Sequence, residues 1–72
     1  MGFNNNPHVA KASAAEQKAT DATDESARAQ AWFDAARLWE RAADREKSEK
    51  KASEYRANAA RARGEAEAAP AA

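Results

Sequence analysis

The sequence contains no cysteine and no isoleucine, and it has only one valine and one leucine. No disulfide can form, and β-strands, which favour β-branched and aromatic residues, are not expected. Glycine and proline occur twice each, and none of the four residues falls within 8–63. This composition offers no glycine-rich loop that could cradle a phosphate, and it permits long helices.

Alanine is abundant by contrast, since it supplies 23 of the 31 hydrophobic residues. Alanine has the highest helix propensity, so we expect an all-α protein. A chain of 72 residues with few large side chains buries little apolar surface by itself, and we therefore expect it to pack against another chain. The other hydrophobic residues are Met1, Phe3, Val9, Trp32, Phe33, Leu38, Trp39 and Tyr55.

Polar residues that typically cap helices indicate where each helix begins. A first helix can begin after Asn6, with Pro7 as its first residue. It can also begin after Ser13, which forms a capping-box pattern with Glu16, and the sequence does not choose between the two. The later caps are Thr23 or Asp24 for a second helix and Ser48 for a third.

The spacing of the apolar residues predicts that the chain turns back on itself. Tyr55 follows Trp39 by 16 residues, which would place the two rings about 160° apart around one continuous helix. The intervening segment 44–51 has no apolar residue and suits a solvent-exposed turn. A hairpin would bring the two apolar stripes together, whereas a single long helix with a solvated middle is the alternative.

We therefore expect a helical hairpin or a small three-helix bundle, in a single domain over residues 8–64. Gly64 is a typical helix terminator. Residues 1–7 are expected to form a flexible arm, and residues 65–72 a disordered tail. The expected helices span about residues 8–21, 24–46 and 48–63.

The large apolar residues of the second helix are the main candidates for partner binding. Trp32 and Trp39 are one heptad apart on one face, and Phe33 and Leu38 flank them. Tryptophan is enriched at binding hot spots, but the same cluster could form a core covered by the other helices. Both interpretations stay open. The candidate partner-binding residues are Trp32, Phe33, Leu38, Trp39 and Tyr55, with Arg37 and Arg56 at the rim.

Segment 35–42 has a small residue, three spacers, an aromatic residue, two spacers and an alanine. In this it resembles the second helix of a tetratricopeptide repeat. The resemblance implies a helical hairpin that binds a peptide or a partner protein. Residues 16–27 lack the signature of the first helix of that repeat, and no proline closes it, so no binding residue is carried over.

The net charge is zero, yet the charges are unevenly distributed. Residues 12–40 carry three basic and six acidic groups, while residues 41–63 carry eight basic and four acidic groups. The basic helix 47–63 supports an alternative function, a small nucleic-acid-binding protein. Glutamates interrupt its basic run and only Tyr55 could stack on a base, so a solvated helix face is the competing interpretation.

Residues typical of catalytic and metal sites are scarce. His8 is the sole histidine, and the carboxylates are scattered along the expected helices. We therefore expect no enzymatic activity, no metal, no cofactor and no small-molecule substrate. The sequence has no apolar run of membrane-spanning length and no signal-peptide core, so we expect a cytoplasmic protein without membrane association.

Taken together, these features predict a non-enzymatic protein–protein interaction module: an adaptor, an accessory subunit or an inhibitor. It would act through a helix face built of alanine and tryptophan. Its expected partner is another protein, a second copy of the chain, or both, because the few large apolar groups need cover.

Overall fold

The computed structural model describes residues 6–68, and three helices account for 89% of them. Helix α1 spans Pro7–Asp21, α2 spans Glu25–Arg45 and α3 spans Glu49–Ala68. Within the described residues there is no strand. The prediction of an all-α fold, in its form of a small three-helix bundle, is confirmed.

Helix α1 begins at the earlier of its two possible starts. The Asn6 side chain accepts a hydrogen bond from the backbone N–H of His8 at 3.2 Å, and Pro7 follows as the first helical residue. Ser13 lies inside the helix and is exposed. Asn6 is also buried, and its Nδ2 donates a hydrogen bond to the carbonyl oxygen of Ala42 at 2.8 Å. One side chain thus caps α1 and ties it to the last turn of α2.

The other two helices also begin at caps that the sequence predicts. Asp24 Oδ2 accepts a hydrogen bond from the N–H of Ala27 at 2.9 Å, which fixes the start of α2. Ser48 Oγ accepts one from the N–H of Lys51 at 3.3 Å at the start of α3. The break before Ser48 makes α2 and α3 a hairpin, so the single long helix is excluded.

Helix α2 is the central element, because α1 and α3 both pack along it. Short connections of three residues join the helices, which makes α2 antiparallel to both neighbours. At the α1 end, the guanidinium of Arg28 donates to the carbonyl oxygen of Ala22 at 3.0 Å. The two outer helices therefore lie on either side of the buried face of α2.

The core consists of alanines around one aromatic pair. Trp39 of α2 stacks on Tyr55 of α3, with ring centroids 5.6 Å apart and an angle of 28° between the planes. The hairpin thus unites the two apolar stripes, as their spacing predicts. Alanine side chains let the helix axes come close enough for this small core to be shared by three helices. The alanines of the core are Ala12, Ala35, Ala36, Ala42, Ala43, Ala52, Ala59 and Ala62.

Helix α3 does not end at Gly64, so the expected stop there is wrong. The helix continues through Gly64 to Ala68, and residues 65–68 of the expected tail are helical. Gly64 is exposed, and glycine in a helix interior costs only about 1 kcal/mol relative to alanine, which packing can offset. Ala66, which is 5% exposed, supplies such packing. The expected arm is wrong at Asn6 and Pro7, which are the buried cap and the first residue of α1. The other parts of the expected arm and tail, 1–5 and 69–72, lie outside the described residues.

Candidate interaction surfaces

Among the seven candidate partner-binding residues, Trp39 and Tyr55 belong to the core, and Trp32 lies at its border. Trp39 and Tyr55 are 6% and 8% exposed and are buried against each other. Trp32 is half-buried and packs against the same core. While the three helices stay packed, a partner can reach part of Trp32 but not the rings of Trp39 or Tyr55. For these last two residues the core interpretation is the one the structure supports.

Glu16 joins all three helices at the border of this core. Its Oε2 accepts a hydrogen bond from the indole N–H of Trp39 at 2.6 Å and another from the guanidinium of Arg61 at 3.0 Å. The predicted capping box of Ser13 with Glu16 is wrong, because both residues lie inside α1. No local pattern reveals the observed role, because the two donors lie 23 and 45 residues away along the chain.

A groove between α1 and α2 contains two further candidates, Arg37 and Leu38. Its floor is apolar, since Ala15 and Leu38 are half-buried and pack against the core. Basic side chains stand along both of its walls. The lining residues, which define the α1–α2 groove, are Lys11, Ala14, Ala15 and Lys18 of α1 and Asp34, Arg37, Leu38 and Arg41 of α2.

Four basic side chains and one acidic side chain give the α1–α2 groove an excess of three positive charges. Arg37 binds the acidic one, Asp34, with 2.7 Å between Nη2 and Oδ1. No carboxylate of residues 6–68 forms an ion pair with the other three basic residues. This concentration is not visible in the sequence because its charges come from two helices, whereas the basic excess along the chain lies in residues 41–63.

A second groove lies between α2 and α3 and is balanced in charge. Two acidic and two basic residues line it, and Arg63 Nη2 lies 2.9 Å from Glu40 Oε2. Phe33, which is 40% exposed, lies two helical turns before Glu40 and therefore on the same side of α2. The lining residues, which define the α2–α3 groove, are Glu40, Asp44, Arg56, Ala59, Ala60 and Arg63.

The basic residues of α3 are partly engaged within the chain. Arg61 and Arg63 bind Glu16 and Glu40, at 3.0 and 2.9 Å. Tyr55, the only residue of the basic helix that could stack on a base, is buried. Within segment 47–63, the exposed basic residues that form no ion pair with a residue of 6–68 are Lys47, Lys50, Lys51 and Arg56.

None of the helices in residues 6–68 is both long and apolar enough to cross a membrane. The same residues hold no group of three or more histidine, cysteine, aspartate or glutamate side chains placed to bind a metal ion. No protein-family model, no curated protein and no solved structure matches this chain. The resemblance of segment 35–42 to a tetratricopeptide repeat therefore gains no support from the comparisons.

Proposed function

We propose that this protein is a non-enzymatic protein–protein interaction module, an adaptor, accessory subunit or inhibitor, that self-associates through the edge of α2 bearing Phe33. The observation that carries the proposal is the exposure of this side chain. Within residues 6–68, Phe33 is the only large hydrophobic residue that is exposed, at 40%. The chain thus leaves uncovered one of the few large apolar groups it possesses.

The surroundings of Phe33 support contact with a second protein surface. The helical repeat places Ala29, which is half-buried, between Phe33 and the half-buried Trp32 around α2. These three residues form a short apolar strip, and aromatic side chains are enriched at the centres of interfaces. Full burial of an exposed side chain of this kind contributes about 1.5–3 kcal/mol, so covering the exposed 40% of Phe33 would stabilise an assembly by a part of that amount per copy. A second copy can approach this edge without charge repulsion, because the neighbouring α2–α3 groove is balanced.

The alternative, nucleic-acid binding through residues 47–63, has less structural support. Tyr55 would have to leave the core to stack on a base, and Arg61 and Arg63 would have to leave their carboxylate partners. Each step would cost internal contacts of this small domain. The interaction proposal requires neither change.

Light scattering over a concentration series tests the proposal, with circular dichroism on the same samples. We expect the wild-type mass to rise above one chain as concentration increases, and the Phe33→Glu variant to stay at one chain. The matched control is Ala57→Glu, which adds the same charge at an exposed position of α3. All three proteins should show the same helicity, because neither substitution touches the core.

Two results would count against this form of the proposal. A wild-type protein that stays at one chain from low micromolar to near-millimolar concentration would exclude self-association. Equal masses for Phe33→Glu and Ala57→Glu would place the contact on another face. Binding of a DNA oligonucleotide that weakens steeply with salt and is unaffected by Phe33→Glu would instead favour the nucleic-acid alternative.

A further inference from the structure

We infer that the α1–α2 groove docks an acidic, amphipathic helix of a partner protein. The inference rests on the proposed interaction function and assigns a partner chemistry to a second face of the module. It involves neither Phe33 nor the α2–α3 groove.

Charge complementarity defines the sign of the partner's charge. Lys11, Lys18 and Arg41 form no ion pair within residues 6–68, so the groove holds three positive charges that its own carboxylates do not balance. Like charges that face each other across a groove repel, and an acidic partner would convert this repulsion into attraction. The unbound protein therefore already has the positive charge in this groove that attracts an acidic partner.

The spacing of the cations fits a helical partner. Lys11 and Lys18 are two turns apart, or about 10.5 Å along α1. Arg37 and Arg41 are one turn apart, or about 6 Å along α2. Carboxylates that recur every three or four residues on both flanks of a helix would meet these two rows of cations.

The apolar floor of the groove provides the second recognition feature. Ala14 and Ala15 are small, so another helix can approach α1 closely, and Leu38 offers a half-buried side chain for contact. A partner helix with an apolar stripe between its acidic flanks would cover this floor. Peptide helices commonly bind in this way, with an apolar face in a groove.

A nucleic acid fits the same groove less well than an acidic helix. The lining residues include no aromatic ring on which a base could stack. An apolar floor contributes to binding a helix and contributes little to binding a phosphate backbone.

The test is a titration of the ¹⁵N-labelled full-length chain followed by NMR. The probe is a synthetic peptide of about four helical turns with leucines on one face and glutamates on both flanks. Two matched peptides replace its glutamates with lysine or its leucines with serine, and an oligothymidylate serves as the polyanion control. We expect saturable amide shifts centred on Lys11, Ala15, Lys18, Leu38 and Arg41 with the first peptide only.

Charge reversal in the groove should weaken this binding selectively. The double variant Lys18→Glu with Arg41→Glu is expected to bind the peptide about tenfold less tightly, which corresponds to about 1.4 kcal/mol. The control, Lys50→Glu with Lys51→Glu, changes the net charge equally at exposed positions of α3 and should change the affinity less than twofold. Circular dichroism establishes that both variants keep the fold.

Several outcomes would overturn the inference. The first is that the amide signals of the groove residues do not shift at millimolar peptide. The second is that the serine peptide or the oligothymidylate binds as tightly as the leucine–glutamate peptide. The third is that the control pair of substitutions in α3 weakens peptide binding as much as the pair in the groove. Groove shifts that appear with protein concentration alone would identify a second copy as the occupant. The Phe33→Glu variant separates the two proposals: it should lose self-association and keep peptide binding. If the peptide does not bind in the groove but the protein self-associates, the proposed function still holds. If the wild-type protein binds the peptide but stays at one chain, only the self-association part of the proposed function is excluded.

Discussion

The α1–α2 groove and the α2–α3 groove share one wall, because α2 lines both. Across the α2–α3 groove, acidic residues of α2 face basic residues of α3, and the pair Glu40–Arg63 closes to 2.9 Å. Across the α1–α2 groove, two arginines of α2 face two lysines of α1. The same helix thus supplies carboxylates to one neighbour and cations to the other.

The contacts that hold α1 and α3 against α2 also differ. Helix α3 is held by the stacked rings of Trp39 and Tyr55, which bury a large apolar area. Helix α1 is held by buried alanines and by polar ties, among them the bond from Asn6 to Ala42. We therefore expect α2 and α3 to form the more stable unit and α1 to open more readily, and an acidic helix bound in the α1–α2 groove would then hold α1 in place.

Truncating the aromatic pair should have the largest effect on this arrangement. We expect Tyr55→Ala to lower the free energy of unfolding by about 3–5 kcal/mol, since it removes a buried ring and leaves a cavity. A core of this size supplies rarely more than about 3–5 kcal/mol, so the variant should be largely unfolded in water. Urea denaturation followed by circular dichroism at low micromolar concentration measures this loss.

The control for this variant is Phe33→Ala, which removes an exposed ring from α2. It should change the free energy of unfolding by no more than about 0.5 kcal/mol. A loss below about 1 kcal/mol for Tyr55→Ala would contradict the assignment of the stacked pair as the main contact between α2 and α3.

The features predictable from the sequence are those whose cause lies within a few residues. Asn6, Asp24 and Ser48 cap helices because their short side chains reach the next turn, and such local geometry shows in the sequence. The hairpin follows from the angular offset between Trp39 and Tyr55, which also depends only on spacing along one helix. All-α structure and three helices could therefore be predicted.

The candidate surfaces were less predictable, because they depend on how separate helices meet. Nothing near Glu16 indicates that it would accept hydrogen bonds from two other helices. The α1–α2 groove pairs residues of segment 11–18 with residues of segment 34–41, and each segment alone looks like an ordinary solvated helix face. Gly64 shows the converse error, since α3 continues past this local stop signal to Ala68 and buries Ala66 beyond it.

A smaller effect is expected where α1 is tied to the end of α2. Asn6→Ser keeps an oxygen that can cap α1 but is too short to reach the carbonyl of Ala42. We expect it to lower the free energy of unfolding by about 1 kcal/mol, the usual contribution of one intramolecular hydrogen bond. Asn6→Ala removes the cap as well and should cost about 1 kcal/mol more. Hydrogen exchange should show faster opening of α1 in both variants.

A different pattern would weaken the comparison between the two sides of α2. If Asn6→Ser and Asn6→Ala had the same effect, the cap would contribute nothing beyond the bond to Ala42. If exchange rose equally in α1 and α3, the two outer helices would open together, and α1 would not be the more weakly attached one.

The smallest expected changes in the free energy of unfolding come from removing one charge in each groove, and they should differ in sign between the two grooves. Glu40→Gln breaks the ion pair with Arg63 at the surface, so we expect a loss of about 0.2–1 kcal/mol in the free energy of unfolding. Lys18→Gln removes one of the like charges in the α1–α2 groove, so we expect no loss or a gain of a few tenths of a kcal/mol. Urea denaturation at low and at high salt measures both.

Salt makes this last comparison decisive, because both effects arise between exposed charges. Raising the ionic strength to about 1 M shortens the screening length to about 3 Å, so the difference between the two variants should nearly vanish. A loss for Lys18→Gln that persists at high salt would show that Lys18 stabilises α1 by packing its aliphatic chain. In that case the lysine would belong to the internal structure of the groove, and its charge would not be held available for an acidic partner.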